Sequence, residues 1–220
     1  MDKRKQIFPV SYYQGQVENN DILKEQLLSR INFTKNKVQV PPGWTTTKII
    51  TSIDSDKGNK FLYENEELTN QYIDAIESFC DEDYIIEIDE MWFNYYIDGE
   101  YQEQHNHIDS AQEQRRKTDR LTPTFSCVHF LCYDKEVHSP LTFFDPMRVT
   151  RSHSFEFASH QHDDIHVPDI SEGDIIMFPS YLEHEVKAGK PTPNNPRITI
   201  SFNLKLYLME DDDYIVEEDE

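Results

Sequence analysis

Hydrophobic positions in the first third of the chain recur at helical spacing in two segments. The first begins at Asn20, a residue type that can cap a helix, and its apolar face is formed by Ile22, Leu23, Leu27, Leu28 and Ile31. The second runs from about Asn65 to Cys80, and its apolar face includes Leu68, Tyr72 and Ile76. Both patterns predict amphipathic helices that cover one side of a sheet.

From residue 84 onward the hydrophobic pattern changes to the period of strands. The clearest predicted strands are 84–89, 91–97, 124–133, 141–145, 174–178 and 197–208. A short strand is also predicted near 48–53, and an edge strand or extended arm at 7–13, where Pro9 cannot donate to a central ladder. Helices followed by many antiparallel strands predict a mostly β (α+β) fold. We expect a double-stranded β-helix (jelly roll, cupin-like) with its N-terminal helices packed on one sheet.

Length and charge predict how the chain is divided into domains and which partners it binds. The 220 residues predict a single domain over 1–208, with its core at roughly 84–208 and an acidic disordered tail at 209–220. Forty-two acidic against twenty-one basic residues give a net charge of −21, which argues against broad contact with nucleic acid or an anionic membrane. The expected partner is a small-molecule or peptide substrate, and the composition leaves the oligomeric state open.

Cysteine usage and the N-terminal sequence bear on the compartment. Three cysteines are an odd number without a zinc-type spacing, so we expect no disulfide framework and a reducing compartment. The N-terminus has no charged-then-apolar signal, and no apolar run approaches the roughly 18 residues of a membrane span. These features predict a cytoplasmic protein.

The candidate chemistry lies in two stretches that are distant in sequence. His105, His107 and Asp109 alternate along an extended segment, so their side chains fall on one face. His184 follows the apolar run 174–178 and the turn after it. Two histidines and one carboxylate with open positions form the facial ligand set of non-haem Fe(II) oxygenases. By spacing alone, His107, Asp109 and His184 are the predicted metal ligands and catalytic residues.

An arginine supplies the second half of the candidate site. Arg197 opens an otherwise apolar strand, and its planar guanidinium suits the carboxylate of an acidic co-substrate. Thr199 falls on the same face two residues later. Together they could hold that carboxylate. The alternative is an exposed strand arginine without a role.

These residues resemble those of the Fe(II)/2-oxoglutarate-dependent oxygenases, and within them a group found in marine bacteria and tailed phages. The resemblance covers roughly residues 91–205 and rests on six blocks in order: 92–94 before Gly99, 102–107, 125–131, 141–146, 173–184 and 197–203. It implies a jelly roll that holds Fe(II), binds 2-oxoglutarate through its keto-acid end and meets its far carboxylate with Arg197. The implied activity is hydroxylation of a C–H bond in an unidentified substrate, with decarboxylation of 2-oxoglutarate to succinate.

The resemblance leaves two possible sets of iron ligands. The similar proteins share a His-x-His pattern, and Gly99 precedes His105 at the spacing associated with the first ligand, which implies His105, His107 and His184. The charge of Fe(II) slightly favours Asp109 instead, because a carboxylate offsets that charge whereas a third imidazole does not. His107 and His184 belong to both sets.

Further residues are assigned or weighed beside the iron site. Asn94 is assigned to the co-substrate site, and so is His129, where relatives often carry tyrosine.

A basic island formed by Arg115, Arg116, Lys117 and Arg120 is either a solvated loop or a lid that meets an anionic substrate. The histidines of the polar stretch 150–168 are expected to be exposed. Two other functions stay open: a cupin-type metalloenzyme that does not use 2-oxoglutarate, and a metal-free binding module.

Overall fold

A computed structural model describes residues 10–35, 60–80, 84–97, 99–108, 124–148 and 164–208. Several expectations lie outside these ranges: the strand near 48–53, Asp109, the basic island, the acidic tail, and His153, His160 and His162. They stay predictions.

Both predicted helices are confirmed. The described helices are α1 (Asn20–Lys35), the short α2 (Lys60–Tyr63) and α3 (Glu66–Glu77). Asn65 caps α3, since its side chain accepts a hydrogen bond from the Leu68 backbone N–H at 3.0 Å. Asn20 does not act as the expected cap. Its side chain points towards the sheet instead, and its Nδ2 donates to the Leu131 carbonyl at 3.4 Å.

The strands of the described residues form two antiparallel sheets. They are β1 (Tyr13–Gln16), β2 (Tyr84–Tyr96), β3 (Gln102–His105), β4 (Thr124–Cys132), β5 (Leu141–Phe144), β6 (Ile165–His166), β7 (Asp174–Pro179), β8 (His184–Val186) and β9 (Arg197–Leu208). One sheet has the order β1-β7-β4-β9-β2 and the other β3-β8-β5-β6. The edge strand expected at 7–13 begins where that segment ends, at Tyr13. The two strands expected at 84–97 form one strand with an irregularity between Ile88 and Glu90.

The five-stranded sheet is buried on both faces. Leu27, Leu68 and Tyr72 of the helices pack against Ile200 and Phe202 on its outer face. Its inner face packs against the four-stranded sheet through a second apolar core, which includes Phe130, Phe143, Phe178, Leu141 and Val186. Burial on both faces explains why the central strands are nearly continuous hydrophobic runs. The predicted fold class, a jelly roll with its N-terminal helices on one sheet, is confirmed.

The pairing of β2 with β9 places polar residues inside this fold. Trp92 lies opposite Ser201, Asn94 opposite Thr199, and Tyr96 opposite Arg197. These six side chains share the face that points towards the second sheet, and the residues between them belong to the core under the helices. A polar stripe therefore crosses the space between the sheets.

Candidate active site

Three histidines converge at one end of the space between the sheets. His105 ends β3 and lies opposite His184, the first residue of β8, while His107 follows β3 by two residues. The ring centroids are 4.2 Å apart for His105 and His184, 5.1 Å for His107 and His184, and 5.2 Å for His105 and His107. One nitrogen from each ring lies within 4.8 Å of the others. This is a donor set for a metal ion.

A β-bulge brings His105 into this group. Gln102 pairs with Val186 and His105 with His184, so the register shifts between the two pairs. Regular alternation from the inward-facing Gln102 would aim Gln104 inwards and His105 outwards. The extra residue reverses that order, as bulges beside functional sites commonly do. Gln104 is exposed and its amide donates to Glu183 at 2.5 Å.

Hydrogen bonds assign the tautomers of all three rings. Nδ1 of His105 lies 2.7 Å from the Glu103 carbonyl, and Nδ1 of His184 lies 2.9 Å from the Leu182 carbonyl. Carbonyl oxygens only accept, so each Nδ1 carries the proton and each Nε2 keeps a lone pair. Nδ1 of His107 lies 2.8 Å from Asn203 Oδ1, and an amide oxygen only accepts, so His107 has the same tautomer. Such partners orient metal-binding imidazoles and raise their basicity.

The unprotonated nitrogens face one another. Nε2 of His107 lies 3.3 Å from Nε2 of His105. Because both Nδ1 atoms carry the protons, the lone pairs of the two Nε2 atoms point at each other and repel. A cation bound between the two atoms would remove this repulsion. Burial lowers the pKa of His107 to about 4 and that of His184 well below its ordinary value. Both rings are therefore neutral at neutral pH, the form that ligates metals.

Arg197 lies at the other end of the same cavity. Its guanidinium carbon is 4.7 Å from the ring centroid of Tyr96 and 5.5 Å from that of Phe130. The residue is 2% exposed, and its Nε and Nη1 have no hydrogen-bond partner among the described residues. Burial lowers the pKa of the guanidinium. A buried cation with two unmet donors calls for an anionic ligand.

The floor between the arginine and the histidines is polar. Asn94 Nδ2 donates to Ser201 Oγ at 3.1 Å and to Thr199 Oγ1 at 3.4 Å, and all three residues are buried. Apolar walls come from both sheets: Val128, Leu141 and Val186. The cavity thus offers cationic donors at one end and metal ligands at the other. This donor set fits Fe(II) together with a ligand that carries a carboxylate at its far end.

His129 is not part of the cavity. The structure corrects the expectation that its side chain faces the co-substrate: Nδ1 lies 2.9 Å from the Tyr72 hydroxyl of α3, and Nε2 lies 2.9 Å from Asn20 Oδ1 of α1. The reason is the alternation of β4. Ser126 and Val128 face the cavity, so His129 faces the helices.

The structure adds residues to the site that the sequence reasoning missed. Gln102 and Tyr96 line the cavity, while Asn203 and Ser126 contact His107. Alternation along β9 from Arg197 could have found Asn203, since both fall on one face. His107 and His184 meet as expected, and Arg197, Thr199 and Asn94 line one cavity. Asp109 lies outside the described residues.

Comparison with known proteins finds a family model that matches part of the chain. Residues 121–203 match the model of the family described as "Putative 2OG-Fe(II) oxygenase". The chain is similar to the 2OG-Fe(II) oxygenases over these residues. It is a 2-oxoglutarate-dependent oxygenase with Fe(II) and 2-oxoglutarate as cofactors, and its histidine cluster and buried arginine fit them. The narrower resemblance to proteins of marine bacteria and tailed phages stays a prediction. No curated protein matches the chain.

Solved structures of other proteins share the fold. HygX from Streptomyces hygroscopicus, solved with nickel and 2-oxoglutarate bound, has a TM-score of 0.54 at 10% identity, over 89% of this chain and 82% of HygX. A prolyl hydroxylase from Trichoplax adhaerens, solved in complex with a hypoxia inducible factor peptide fragment, has a TM-score of 0.50 at 11% identity, over 89% of this chain and 83% of that protein. At such identities the likeness shows the fold alone.

Two further findings bear on the expectations from composition. Cys80, Cys127 and Cys132 all lie within the described ranges and form no disulfide. None of the helices in the described part of the chain combines the length and apolar character needed to cross a membrane.

Proposed function

We propose that this oxygenase hydroxylates a C–H bond of a second substrate while it decarboxylates 2-oxoglutarate to succinate. One observation carries the proposal: a buried arginine with two unpaired donors shares a cavity with two of three imidazoles whose Nε2 atoms converge. Cupin-type chemistry without 2-oxoglutarate would use the imidazoles but would leave the charge of Arg197 without a partner. A metal-free binding module would leave both the imidazoles and the arginine unused.

The proposed iron ligands are His105, His107 and His184. Their hydrogen-bonded Nδ1 atoms leave each Nε2 available, and the contact between the Nε2 atoms of His105 and His107 favours a shared cation. Asp109 is the alternative third ligand and would bring a compensating charge. We favour His105 because it lies opposite His184 and its Nε2 lies 3.3 Å from that of His107.

Arg197 is the proposed partner of the far carboxylate of 2-oxoglutarate. Two charge-assisted hydrogen bonds from its Nε and Nη1 would satisfy the donors that lack partners. Thr199 and Asn94 would shape the floor beneath the co-substrate. The binding of nickel and 2-oxoglutarate by HygX, on a similar fold, supports this arrangement.

Bound iron supplies the oxidation chemistry, in which one oxygen atom of O₂ goes to succinate and the other enters the C–H bond of the substrate. The chain supplies position and exclusion of water. Val128, Leu141 and Val186 give the cavity dry walls, which strengthen electrostatic contacts inside it. Asn203 and the carbonyls of Glu103 and Leu182 hold the imidazoles in orientation.

The test is an anaerobic titration of the Fe(II)-loaded full chain with 2-oxoglutarate. Binding of 2-oxoglutarate to the iron should produce a weak visible charge-transfer band that saturates at one equivalent. Exposure to O₂ should then convert 2-oxoglutarate to succinate. If a protein that has bound iron stoichiometrically shows no such band, it does not use 2-oxoglutarate. The cupin-type function would then be favoured.

A further inference from the structure

Gln102 connects the two ends of the cavity. Its Nε2 lies 3.3 Å from Nε2 of His105, and its Oε1 accepts a hydrogen bond from the Tyr96 hydroxyl at 3.1 Å. The Tyr96 ring in turn lies against the guanidinium of Arg197. The Gln102 amide therefore lies between His105, a proposed iron ligand, and Tyr96, whose ring packs against the arginine proposed to bind the carboxylate.

The orientation of this amide follows from its partners. His105 Nδ1 is committed to the Glu103 carbonyl, so His105 Nε2 is an acceptor and needs a donor. The NH₂ group of Gln102 must therefore face His105, which leaves its oxygen for the Tyr96 hydroxyl. Both contacts agree on this one orientation.

Metal binding would remove one of these contacts. A lone pair of His105 that is shared with a metal cannot also accept a hydrogen bond. The NH₂ group of Gln102 then loses its partner, while the Tyr96 hydroxyl still holds the oxygen in place. A donor in a cavity wall that loses its acceptor costs free energy unless a new acceptor arrives.

We propose that Gln102 is a co-substrate-positioning residue whose amide N–H donates to an oxygen atom at the metal end of 2-oxoglutarate. The inference rests on the proposed function. Arg197 presents unmet donors at one end of the cavity, and Gln102 presents a donor at the other once the metal is bound. Such a cavity selects a ligand with acceptor oxygens at both ends, which is the chemistry of a keto dicarboxylate.

The experiment measures 2-oxoglutarate binding, without turnover, on the full chain loaded with Zn(II). Gln102→Leu keeps the size of the side chain and removes both the donor and the acceptor, so the dissociation constant of 2-oxoglutarate should rise about tenfold, as for loss of one hydrogen bond to a charged group. Zn(II) affinity should change less than about threefold, because Gln102 is not a ligand. Gln102→Glu keeps the shape but places a carboxylate beside the anionic co-substrate, and should weaken binding more.

Two controls separate the role of Gln102 from support of the strand. Gln104→Leu makes the same substitution on the exposed side of β3, where the amide bonds Glu183, and should leave 2-oxoglutarate binding unchanged. Tyr96→Phe removes the hydroxyl that holds the Gln102 oxygen and should weaken binding less than Gln102→Leu does.

The outcomes are distinguishable. If Gln102→Leu or Gln102→Glu binds 2-oxoglutarate as tightly as the parent, the positioning role is wrong. If either variant loses Zn(II) instead of 2-oxoglutarate, Gln102 only supports His105, and the inference is equally overturned. If the Zn(II)-loaded parent itself binds no 2-oxoglutarate, the proposed function fails before Gln102 is tested.

Discussion

His105 and His184 lie directly opposite each other on β3 and β8, with ring centroids 4.2 Å apart. Cross-strand neighbours share a face of the sheet, so both rings point into the space between the sheets. The pairing depends on the bulge that precedes His105. Because the bulge turns its ring inwards, His105 is a candidate ligand together with His107 and His184.

The first prediction concerns the third ligand. His105→Ala should abolish stoichiometric Fe(II) binding, as should His107→Ala and His184→Ala, whereas Asp109→Ala should retain it, because Asp109 lies outside the proposed ligand set. Metal analysis after anaerobic desalting measures this. His166→Ala is the control, because His166 is exposed and its ring contacts Tyr12. Loss of iron in Asp109→Ala with retention in His105→Ala would establish the set with a carboxylate.

The second prediction concerns Arg197. Arg197→Met keeps the aliphatic stem against Tyr96 but removes the charge-assisted contact with the carboxylate, which is worth about 1.5–3 kcal/mol in total. The dissociation constant of 2-oxoglutarate should rise roughly ten- to a hundredfold, with Fe(II) binding nearly unchanged. Calorimetric titration of the metal-loaded protein measures both. Arg148→Met is the matched control, since Arg148 is partly exposed and contacts Glu183 and Phe144. Parent-like 2-oxoglutarate affinity in Arg197→Met would refute the assignment.

The third prediction concerns Asn203, which lies 2.8 Å from His107 Nδ1 and accepts from the Ser126 hydroxyl at 2.9 Å. Asn203→Leu removes the oxygen that fixes the His107 tautomer, so Fe(II) affinity should fall about 10- to 100-fold, as for other partners of metal-binding imidazoles. Competition with a chelator measures the change. Ser201→Ala, on the same face of β9 but bonded to Asn94, should leave Fe(II) affinity unaltered. Equal effects of the two substitutions would mean that only strand packing had changed.

The fourth prediction uses His129, whose burial lowers its pKa from 6.5 to about 3. Between these values the unfolded chain binds a proton that the folded protein excludes, so this residue makes the free energy of unfolding fall as pH drops from about 6.5 towards 3. His129→Gln keeps an amide for Tyr72 and Asn20 but cannot titrate. Its unfolding free energy should therefore depend less steeply on pH, by up to about 1.4 kcal/mol per pH unit. Chemical denaturation at pH 4.5, 5.5 and 7.5 measures the slopes, and identical slopes would contradict a neutral buried His129.

The sequence by itself determined the elements and much of the candidate chemistry. Hydrophobic spacing predicted both long helices and the main strands, because the 3.6- and 2-residue periods are local properties of the chain. Local alternation pointed to His107 and Arg197, and the apolar run with its closing turn pointed to His184. Their types suggested a metal and an acidic ligand, since imidazole is the commonest metal ligand and a buried guanidinium needs a partner.

Only the tertiary structure decided which faces these residues share. The bulge in β3 turns His105 inwards, and the alternation of β4 turns His129 towards Tyr72 and away from the cavity. A shift of one residue in register exchanges the two faces of a strand, and the register is set by hydrogen bonds to partners distant in sequence. The contacts of Gln102 with Tyr96 and His105 also depend on tertiary structure. They form because the pairing of β3 with β8 turns the side chain of Gln102 into the cavity.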